Sequence, residues 1–291
     1  MRSDLLTIKG ALDKSARYLK DKGVESSRLD AEVLLSTILG LRRIDLYLKF
    51  DRPLNEKEKG RYREFLKRRA QFEPVAYITG EKEFMSLPFY VNPSVLIPRP
   101  DTEILAETSM KKIRSRIAAH PEKSPEIFEI GAGSGALAVS ILVNIPDIEI
   151  TASDISTKAL ETAQRNAERH GVRDRLYLLE GDLFAGSTGP YDFIISNPPY
   201  IPEQQKKTLQ KDILDHEPHA ALFAGEHGLD VIDRVITEGR KFLLPDSWIL
   251  VEIGDEQYQK IIRKHEIENN FSKVEAVEDY TGTVRVLCLQ K

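Results

Sequence analysis

A planar –NH2 group could be held by four consecutive residues, Asn197, Pro198, Pro199 and Tyr200. Residues 192–196 are predicted to form a short buried strand, and the chain must leave the sheet at the prolines because proline has no backbone N–H. The Asn197 side-chain carbonyl and the Pro198 backbone carbonyl can each accept one N–H, and the Tyr200 ring offers a flat face. A Pro-Pro turn without a chemical role is the alternative interpretation.

A glycine-rich loop is the second feature with chemical meaning. It follows a predicted strand at 127–130 and precedes a predicted helix at 136–143. Glycine allows positive φ and lets a ligand approach the backbone without a Cβ in the way. The GxGxG spacing differs from the GxGxxG of dinucleotide-binding enzymes, which favours S-adenosylmethionine over NAD as the cofactor. The predicted cofactor-binding residues of this loop are Gly131, Ala132, Gly133, Ser134 and Gly135.

Acidic residues at two predicted strand ends complete a site for a nucleoside. Asp154 lies 23 residues after the first glycine of the loop, where a carboxylate can accept both ribose hydroxyls. Asp182 can accept the adenine amine, while Leu183 or Phe184 packs against the adenine ring. Because the carboxyl ends of parallel strands meet at one edge of a sheet, Asn197 is expected beside the same cofactor.

The elements that position these residues are predicted to form an α/β domain. Strands alternate with helices over residues 100–250, and two further strands follow at 272–276 and 283–289. This order predicts a doubly wound, mostly parallel, Rossmann-like sheet with a C-terminal antiparallel hairpin. Ligands are expected at the carboxyl ends of the parallel strands.

A small helical bundle is predicted for residues 1–72, where apolar side chains recur at helical spacing. Residues 73–95 are predicted to form a β-hairpin linker to the α/β domain at 96–291. The bundle contains no catalytic constellation, so it is expected to bind or position a partner. The apolar positions of its first helix are Leu5, Ile8, Leu12 and Leu19, and its capping-box patterns are Ser27 with Asp30 and Asn55 with Glu58.

Charge is distributed unevenly between the two parts of the chain. Residues 1–72 carry 18 Lys and Arg against 11 Asp and Glu, whereas residues 73–291 carry 24 against 35. A basic surface favours an acidic partner, although charged helix faces are more often simply solvated. The arginines considered for such a contact are Arg42, Arg43, Arg68 and Arg69.

Composition excludes several classes of protein. A hydrophobic content of 41% and a charged content of 30% are ordinary for globular proteins, and no apolar run reaches the length of a membrane span. The start MRSDLLTIKG lacks the apolar core of a secretion signal, so a cytoplasmic protein without membrane contact is expected. We also expect a monomer. The single Cys288 and the unclustered histidines predict neither a disulfide nor a metal site.

These residues resemble the class I S-adenosylmethionine methyltransferases and, within them, the release factor glutamine methyltransferases of the HemK/PrmC type. The similarity covers nearly the whole chain, and the matching segments occur in the family's order. They are AYITGEKEF, LIPRPDTE, EIGAGSG, ASDIS, NPPYIPE and EPHAALFAGEHGLD. NPPY is shared with adenine-amine DNA methyltransferases, whereas LIPRPDTE together with the helical front is more specific.

The resemblance implies methylation of the amide nitrogen of the glutamine in the Gly-Gly-Gln motif of peptide chain release factors. S-adenosylmethionine would be the methyl donor and S-adenosylhomocysteine the product. The family binds the cofactor at residues 131–135, Asp154 and the turn at 182–183, and the glutamine at residues 197–200. Two departures from the family pattern are Glu129, where Asp is more usual, and Leu183, where a larger ring is common. Glu129 is still expected to bind the cofactor's amino group, and Leu183 is expected to loosen the adenine contact.

Catalysis is predicted to depend on alignment, because an amide nitrogen is a poor nucleophile whose lone pair is delocalised into the carbonyl. Asn197 and Pro198 are predicted to draw electron density onto that nitrogen by accepting its two N–H bonds. Tyr200 is predicted to hold the amide plane, and no general base is assigned. Pro199 completes the predicted substrate-binding set.

The residues are also compatible with two other functions. A DNA or RNA adenine-amine methyltransferase would act on a similar –NH2 group, but the acidic body and the lack of a recognisable target-recognition insertion disfavour DNA. A non-catalytic cofactor-binding or ribosome-associated protein is the second alternative. The intact motif at 197–200 argues against lost activity.

Overall fold

The computed structural model describes residues 6–291, apart from the side chain of Glu268, and divides them into two compact units. The first unit holds residues 6–81 together with Gln210–His216, and the second holds Lys82–Leu209 together with Glu217–Lys291. The predicted bundle began at residue 1, and its first apolar position, Leu5, lies outside the described residues.

The described residues form helices and strands that are numbered here in chain order. The helices are α1 (Ile8–Asp21), α2 (Ser27–Leu39), α3 (Arg43–Leu48), α4 (Glu56–Arg69), α5 (Val75–Thr79), α6 (Asp101–Ala119), α7 (Ala136–Asn144), α8 (Thr157–Arg169), α9 (Lys211–His216), α10 (Asp230–Phe242), α11 (Tyr258–Lys264) and α12 (Ile267–Asn270). The strands are β1 (Glu81–Phe84), β2 (Leu87–Tyr90), β3 (Ile127–Ile130), β4 (Ile150–Asp154), β5 (Leu176–Glu180), β6 (Tyr191–Ser196), β7 (Leu243–Glu252), β8 (Lys273–Glu278) and β9 (Val284–Gln290).

The first unit is a helical bundle around an apolar core, to which α1, α2 and α4 contribute. The capping box at α4 is confirmed, because the Glu58 backbone N–H donates to the Asn55 side chain and the Asn55 N–H donates to the Glu58 carboxylate. The one predicted at Ser27 is wrong. Helix α2 has Ser26 at its N-cap without a side-chain bond, and the Asp30 carboxylate instead accepts a hydrogen bond from the Arg69 guanidinium at 2.6 Å.

The four arginines considered for an acidic partner already have carboxylate partners inside the bundle. Because the Arg69 side chain is only 7% exposed, it offers no charge to an external surface. The other three arginines stay exposed beside their carboxylates. Paired charges cancel, so these pairs do not account for the basic excess of the front, and contact with an acidic partner stays a prediction. The pairs are Arg42 with Asp45, Arg43 with Glu32, Arg68 with Glu73, and Arg69 with Asp30.

A segment far along the chain also belongs to the first unit. Helix α9 lies far from the bundle in sequence, yet the Asp212 carboxylate lies 3.7 Å from the Arg69 guanidinium. The Lys211 ammonium lies 5.0 Å from the centre of the Phe72 ring. Sequence periodicity does not reveal this membership, because α9 has only six residues and is held by contacts to a distant part of the chain.

The segment predicted as a β-hairpin over 73–95 is partly helical. Helix α5 follows Pro74 and ends at Gly80, whose φ of +76° is the left-handed conformation that closes many helices. The β prediction for residues 75–79 is therefore wrong. Strands β1 and β2 pair with each other in a two-stranded sheet, and the two compact units divide between Glu81 and Lys82.

The second unit contains a seven-stranded sheet in the order β5-β4-β3-β6-β7-β9-β8. Strands β3 to β7 run parallel, β9 is antiparallel to β7, and β8 is antiparallel to β9. One face packs against α6, α7 and α8, and the other against α10, α11 and α12. Within β6, Phe193 and Ile195 enter the first core and Ile194 the second, as the alternation of a strand requires. The predicted α/β fold is confirmed.

The strand order reverses at the centre of this sheet. From β3 the chain proceeds outward through β4 and β5, and it then returns to form β6 on the other side of β3. The carboxyl ends of β3 and β6 are in register, with Ile130 opposite Ser196, and the Ser196 hydroxyl donates to the Ile130 carbonyl at 3.0 Å. In doubly wound sheets, ligands bind in the crevice at such a reversal.

Candidate active site

A cavity of about 330 Å³ opens at this reversal, a volume typical of small-molecule sites. The backbone after β3, the end of β4 and the loops after β5 and β6 contribute to its wall. Ten of the twelve residues predicted for the site line it, and the two that do not are Gly135 and Tyr200. The ten are Gly131, Ala132, Gly133, Ser134, Asp154, Asp182, Leu183, Asn197, Pro198 and Pro199.

The glycine loop is held by backbone hydrogen bonds to β4. The N–H groups of Gly131 and Ala132 both donate to the Ser153 carbonyl, at 2.8 and 2.9 Å. Gly135 caps α7 at the point where α8 passes, and its contact with a cofactor stays a prediction. A Cβ at Gly135 would lie 3.0 Å from the Ala163 Cα atom, so this glycine allows the two helices to approach.

Asp154 ends β4 with its carboxylate turned onto neighbouring backbone. One oxygen accepts from the Gly133 N–H at 2.8 Å and the other from the Ser156 N–H at 2.9 Å. Burial raises the pKa of Asp154, and these backbone donors partly offset the increase. Each carboxylate oxygen keeps a second lone pair for a ligand hydroxyl.

Asp182 and Leu183 form the turn after β5. The Asp182 carboxylate is exposed and lies 2.9 Å from the Arg234 guanidinium on α10, so an adenine amine would share this acceptor with a cation. Leu183 has a left-handed φ of +51°, and its carbonyl accepts a hydrogen bond from the Ser153 hydroxyl at 2.7 Å. The Leu183 side chain is buried and lines the cavity.

Glu129 is a buried carboxyl group at the cavity wall, and its Oε2 atom has no hydrogen-bond partner among the described residues. Burial raises the pKa of Glu129 well above its ordinary value, and the nearby Asp154 charge raises it further. A buried acceptor without a partner is costly unless a ligand satisfies it. The residue therefore fits a cationic group such as the ammonium of an amino-acid tail.

Asn197 follows β6 with its side chain fixed in one orientation. Its amide nitrogen donates to the Thr102 hydroxyl oxygen of α6 at 2.9 Å. This bond occupies the donor end of the amide and leaves Oδ1 available as an acceptor.

Tyr200 is packed inside the second unit and does not form part of the cavity wall, in contrast to the expectation of an exposed stacking face. Its hydroxyl donates to the Glu252 carboxylate at 3.2 Å, and a Cβ at Gly254 would lie 3.1 Å from its ring. Burial raises the pKa of Tyr200, so it stays a neutral donor. Burial likewise raises the pKa of Glu252 to about 7, whereas the hydroxyls of Thr102 and Tyr200 lower it.

Sequence reasoning missed a group of residues that anchor the loop after β6. The Gln257 side chain donates to the carbonyls of Tyr200 and Gly228, at 2.9 and 3.2 Å, and accepts from the Gly254 N–H at 2.8 Å. A Cβ at Gly228, whose φ is +70°, would lie 2.1 Å from the Tyr200 carbonyl oxygen. The glycine of the segment EHGLD was the available signal, because glycine often marks a close backbone approach.

Neither a membrane-spanning helix nor a metal cluster is found among residues 6–291. In that part of the chain, no helix is both long enough and apolar enough to span a bilayer. Over the same residues, no group of three or more His, Cys, Asp or Glu side chains is arranged to hold a metal ion. Cys288 is buried in β9, and burial raises the pKa of its thiol to about 12.

The fold and this site define a class I, S-adenosylmethionine-dependent methyltransferase. Residues 113–226 match the family described as "Methyltransferase small domain". The crystal structure of the hMettl16 catalytic domain in complex with MAT2A 3'UTR hairpin 1 has a similar fold, with a TM-score of 0.55 and 14% sequence identity. The match covers 94% of this chain and 90% of that one. At this identity the similarity concerns the fold alone.

Comparisons over the whole sequence identify the family. Residues 10–80 match the PrmC N-terminal domain. The chain is 41% identical over 262 residues to a release factor glutamine methyltransferase of Geobacter sulfurreducens, covering 90% of this chain and 89% of the relative. It is 35% identical over 287 residues to one of Rhodopirellula baltica, covering 98% and 96%. The chain belongs to the release factor glutamine methyltransferase family, which confirms the resemblance inferred from its motifs.

Proposed function

We propose that the protein methylates the side-chain amide nitrogen of the glutamine in the Gly-Gly-Gln motif of peptide chain release factors. The observation that carries the proposal is the Asn197 side chain, whose nitrogen is held by Thr102 and whose oxygen is left as an acceptor beside the glycine loop. Both relatives are named for the glutamine of a release factor, which favours this acceptor over adenine.

The cofactor half of the cavity would hold S-adenosylmethionine. The backbone of residues 131–134 would lie against its amino-acid tail, Glu129 would accept its ammonium, and Asp154 would accept its ribose hydroxyls. Asp182 and Leu183 would contact the adenine. When bound, this cofactor supplies an activated methyl group on a sulfonium and leaves as S-adenosylhomocysteine. The proposal requires no metal.

The acceptor half would make a weak nucleophile reactive by orienting it. Asn197 Oδ1 and the Pro198 carbonyl would each accept one N–H of the glutamine amide, drawing electron density onto its nitrogen. The same two bonds strengthen as positive charge develops on that nitrogen, so they stabilise the transition state more than the ground state. The extra proton can leave after transfer, and no general base is assigned.

Pro199 and Tyr200 would support this clamp from different positions. Pro199 lines the cavity and would give the acceptor an apolar surface. Tyr200 would act by anchoring the loop, since its hydroxyl is bound to Glu252 and its carbonyl to Gln257. We further expect a monomer that works in the cytoplasm on a protein partner, with neither DNA nor a membrane as a partner.

One labelling experiment tests the proposal against both alternatives. The protein is incubated with methyl-labelled S-adenosylmethionine and either a release factor, the same factor with Gln→Ala in its Gly-Gly-Gln motif, or DNA and RNA. Label on the unaltered factor alone supports the proposal. Label on nucleic acid supports an adenine-amine enzyme, and absence of label from every acceptor supports a non-catalytic protein. The Asn197→Ala variant serves as the control for the site.

A further inference from the structure

One positively charged side chain lies at the wall of the cavity, and the proposed chemistry gives it no role. Arg99 is the only lysine, arginine or histidine among the described residues that line the cavity. Its side chain is 32% exposed. The other charged residues of the wall are acidic, namely Glu129, Asp154 and Asp182. A guanidinium in such a place is suited to an anionic group of a ligand.

A buried carboxylate holds Arg99 in position. The Glu217 side chain is 1% exposed, and its Oε1 atom accepts a hydrogen bond from Arg99 Nη2 at 2.5 Å. Its Oε2 atom accepts one from the Ile97 backbone N–H at 3.2 Å. Glu217 therefore fixes both the backbone and the charged side chain of residues 97–99. Because the guanidinium is already held, it loses little conformational freedom when it binds a ligand.

The Arg99 guanidinium keeps hydrogen-bond donors for such a ligand. An arginine side chain carries several N–H groups in a planar fork that matches a carboxylate. Within the part of the chain that the structure describes, Glu217 is the only hydrogen-bond partner of this guanidinium, and it accepts from a single nitrogen. The remaining N–H groups are therefore available at the cavity wall.

We propose that Arg99 binds the carboxylate of the amino-acid tail of S-adenosylmethionine. The proposal rests on the function proposed above, because it takes this cofactor as the ligand of the cavity. The tail carries an ammonium and a carboxylate, and Glu129 accounts only for the ammonium. Beside three acidic side chains, a ligand carboxylate needs a positive partner to offset the repulsion. The acceptor glutamine is neutral, so the tail carboxylate is the anionic group that fits Arg99.

A second ion pair of the same unit provides a matched control away from the cavity. Arg116 on α6 is 27% exposed, and its Nη2 atom lies 2.8 Å from the carboxylate of Asp192, which is 1% exposed. Its exposure and the burial of its partner are thus close to those of Arg99 and Glu217. Neither Arg116 nor Asp192 lines the cavity. Replacing Arg116 therefore measures what the loss of such a pair costs the fold alone.

Calorimetry with two ligands tests the assignment and needs no release factor. The ligands are S-adenosylmethionine and its decarboxylated analogue, which keeps the ammonium and the sulfonium. Wild type should bind the analogue about tenfold more weakly or worse, the scale of a hydrogen bond between charged groups. Arg99→Gln should weaken the binding of S-adenosylmethionine by about the same factor without weakening that of the analogue. Arg116→Gln should keep the wild-type ratio of the two affinities.

Three results overturn the assignment. Equal losses for both ligands in Arg99→Gln would show a structural role, as in the control pair. An unchanged affinity for S-adenosylmethionine together with a raised KM for the release factor would assign Arg99 to the acceptor. Equal affinities of wild type for the two ligands also overturn the proposal, and this measurement does not depend on whether a variant folds.

A spectroscopic measurement on wild type adds a direct readout of the contact. The side-chain N–H signal of Arg99, assigned by its loss in Arg99→Lys, is followed by NMR in the isotope-labelled full chain. We expect it to shift with S-adenosylmethionine and to shift much less with the analogue, and equal shifts overturn the assignment. The expected shifts and affinities in a protein that methylates no release factor support the role of Arg99 and refute the proposed function.

Discussion

The two halves of the cavity are built from different kinds of contact. In the cofactor half, comprising residues 129–135, Asp154 and the turn at 182–183, backbone N–H groups of the loop bind β4 directly. In the acceptor half, residues 197–200, the loop is held by side chains from α6, the end of β7 and the segment after it. The cofactor half depends on backbone hydrogen bonds, so most of it is encoded in one contiguous motif. A half held by distant side chains can be disrupted by substitutions far away in the sequence.

Each half also contains a buried carboxyl group, and the two differ in what they face. Glu129 lines the cavity with an oxygen that has no partner among the described residues, so it is suited to a ligand cation. Glu252 is absent from the cavity wall and faces hydroxyl groups of the protein. Cofactor binding should therefore ionise Glu129, whereas the charge of Glu252 should follow pH.

The Asn197→Ala substitution should distinguish the two halves by the largest effect, because it changes the rate and leaves cofactor binding nearly unchanged. Losing one preorganised hydrogen bond to the transition state should lower the single-turnover rate about a hundredfold or more, which corresponds to about 3 kcal/mol. The affinity for S-adenosylmethionine, measured by calorimetry, should change much less. Equal rates for variant and wild type would remove Asn197 from the mechanism.

Stability measured against pH distinguishes Glu252 from an ordinary surface carboxyl. Its pKa in the folded protein, about 7, lies above its ordinary value of 4.5. A raised folded pKa favours the protonated form, so this contribution to stability is present below the unfolded pKa and is lost as pH rises towards 7. Between about pH 5 and about pH 8, Glu252→Gln should gain at most about 3 kcal/mol relative to wild type. Urea unfolding at both pH values measures the gain, and a constant difference would contradict it.

A matched pair of glycines tests how tightly the acceptor half is packed. Gly228 and Gly171 have nearly the same φ, +70° and +69°. A Cβ added at Gly228 would lie 2.1 Å from the Tyr200 carbonyl oxygen, whereas a Cβ added at Gly171 would have no atom within 4 Å. Gly228→Ala should therefore lower the free energy of unfolding by about 2 kcal/mol more than Gly171→Ala. It should also slow methyl transfer without weakening cofactor binding. Similar losses for the two variants would mean that the loop can adapt.

A second matched pair probes the cofactor half and should give the smallest effect. Gly135 and Gly186 have φ values of +76° and +78°. A Cβ added at Gly135 would lie 3.0 Å from the Ala163 Cα atom, whereas a Cβ added at Gly186 would have no atom within 4 Å. Gly135→Ala should weaken cofactor binding about fivefold relative to Gly186→Ala, because α7 must shift by a small amount. The rate at saturating cofactor should stay nearly normal. A fall in that rate with normal cofactor affinity would place Gly135 in the acceptor half instead.

Local patterns were sufficient to predict much of the fold and ten of the residues that line the cavity. The alternation of strands and helices predicted the parallel sheet, and the strand-end rule brought Asp154 and Asn197 to one edge. The same patterns failed for α5, where Pro74 and Gly80 delimit a helical turn in an aromatic, β-branched segment. They failed again for α9, whose contacts are with a distant part of the chain.

The sequence by itself determined the glycine loop, the strand-end acids, the motif at 197–200 and the family, because each of these is a contiguous pattern or follows from strand order. Only the tertiary structure decided that Tyr200 lies outside the cavity wall and that the Gln257 side chain binds the loop after β6. It also decided that Thr102 binds the Asn197 side chain and that Glu252 binds the Tyr200 hydroxyl. The physical reason is sequence separation. Thr102 and Asn197 are 95 positions apart, and whether two such side chains meet depends on how α6 and the sheet pack, which no local pattern records.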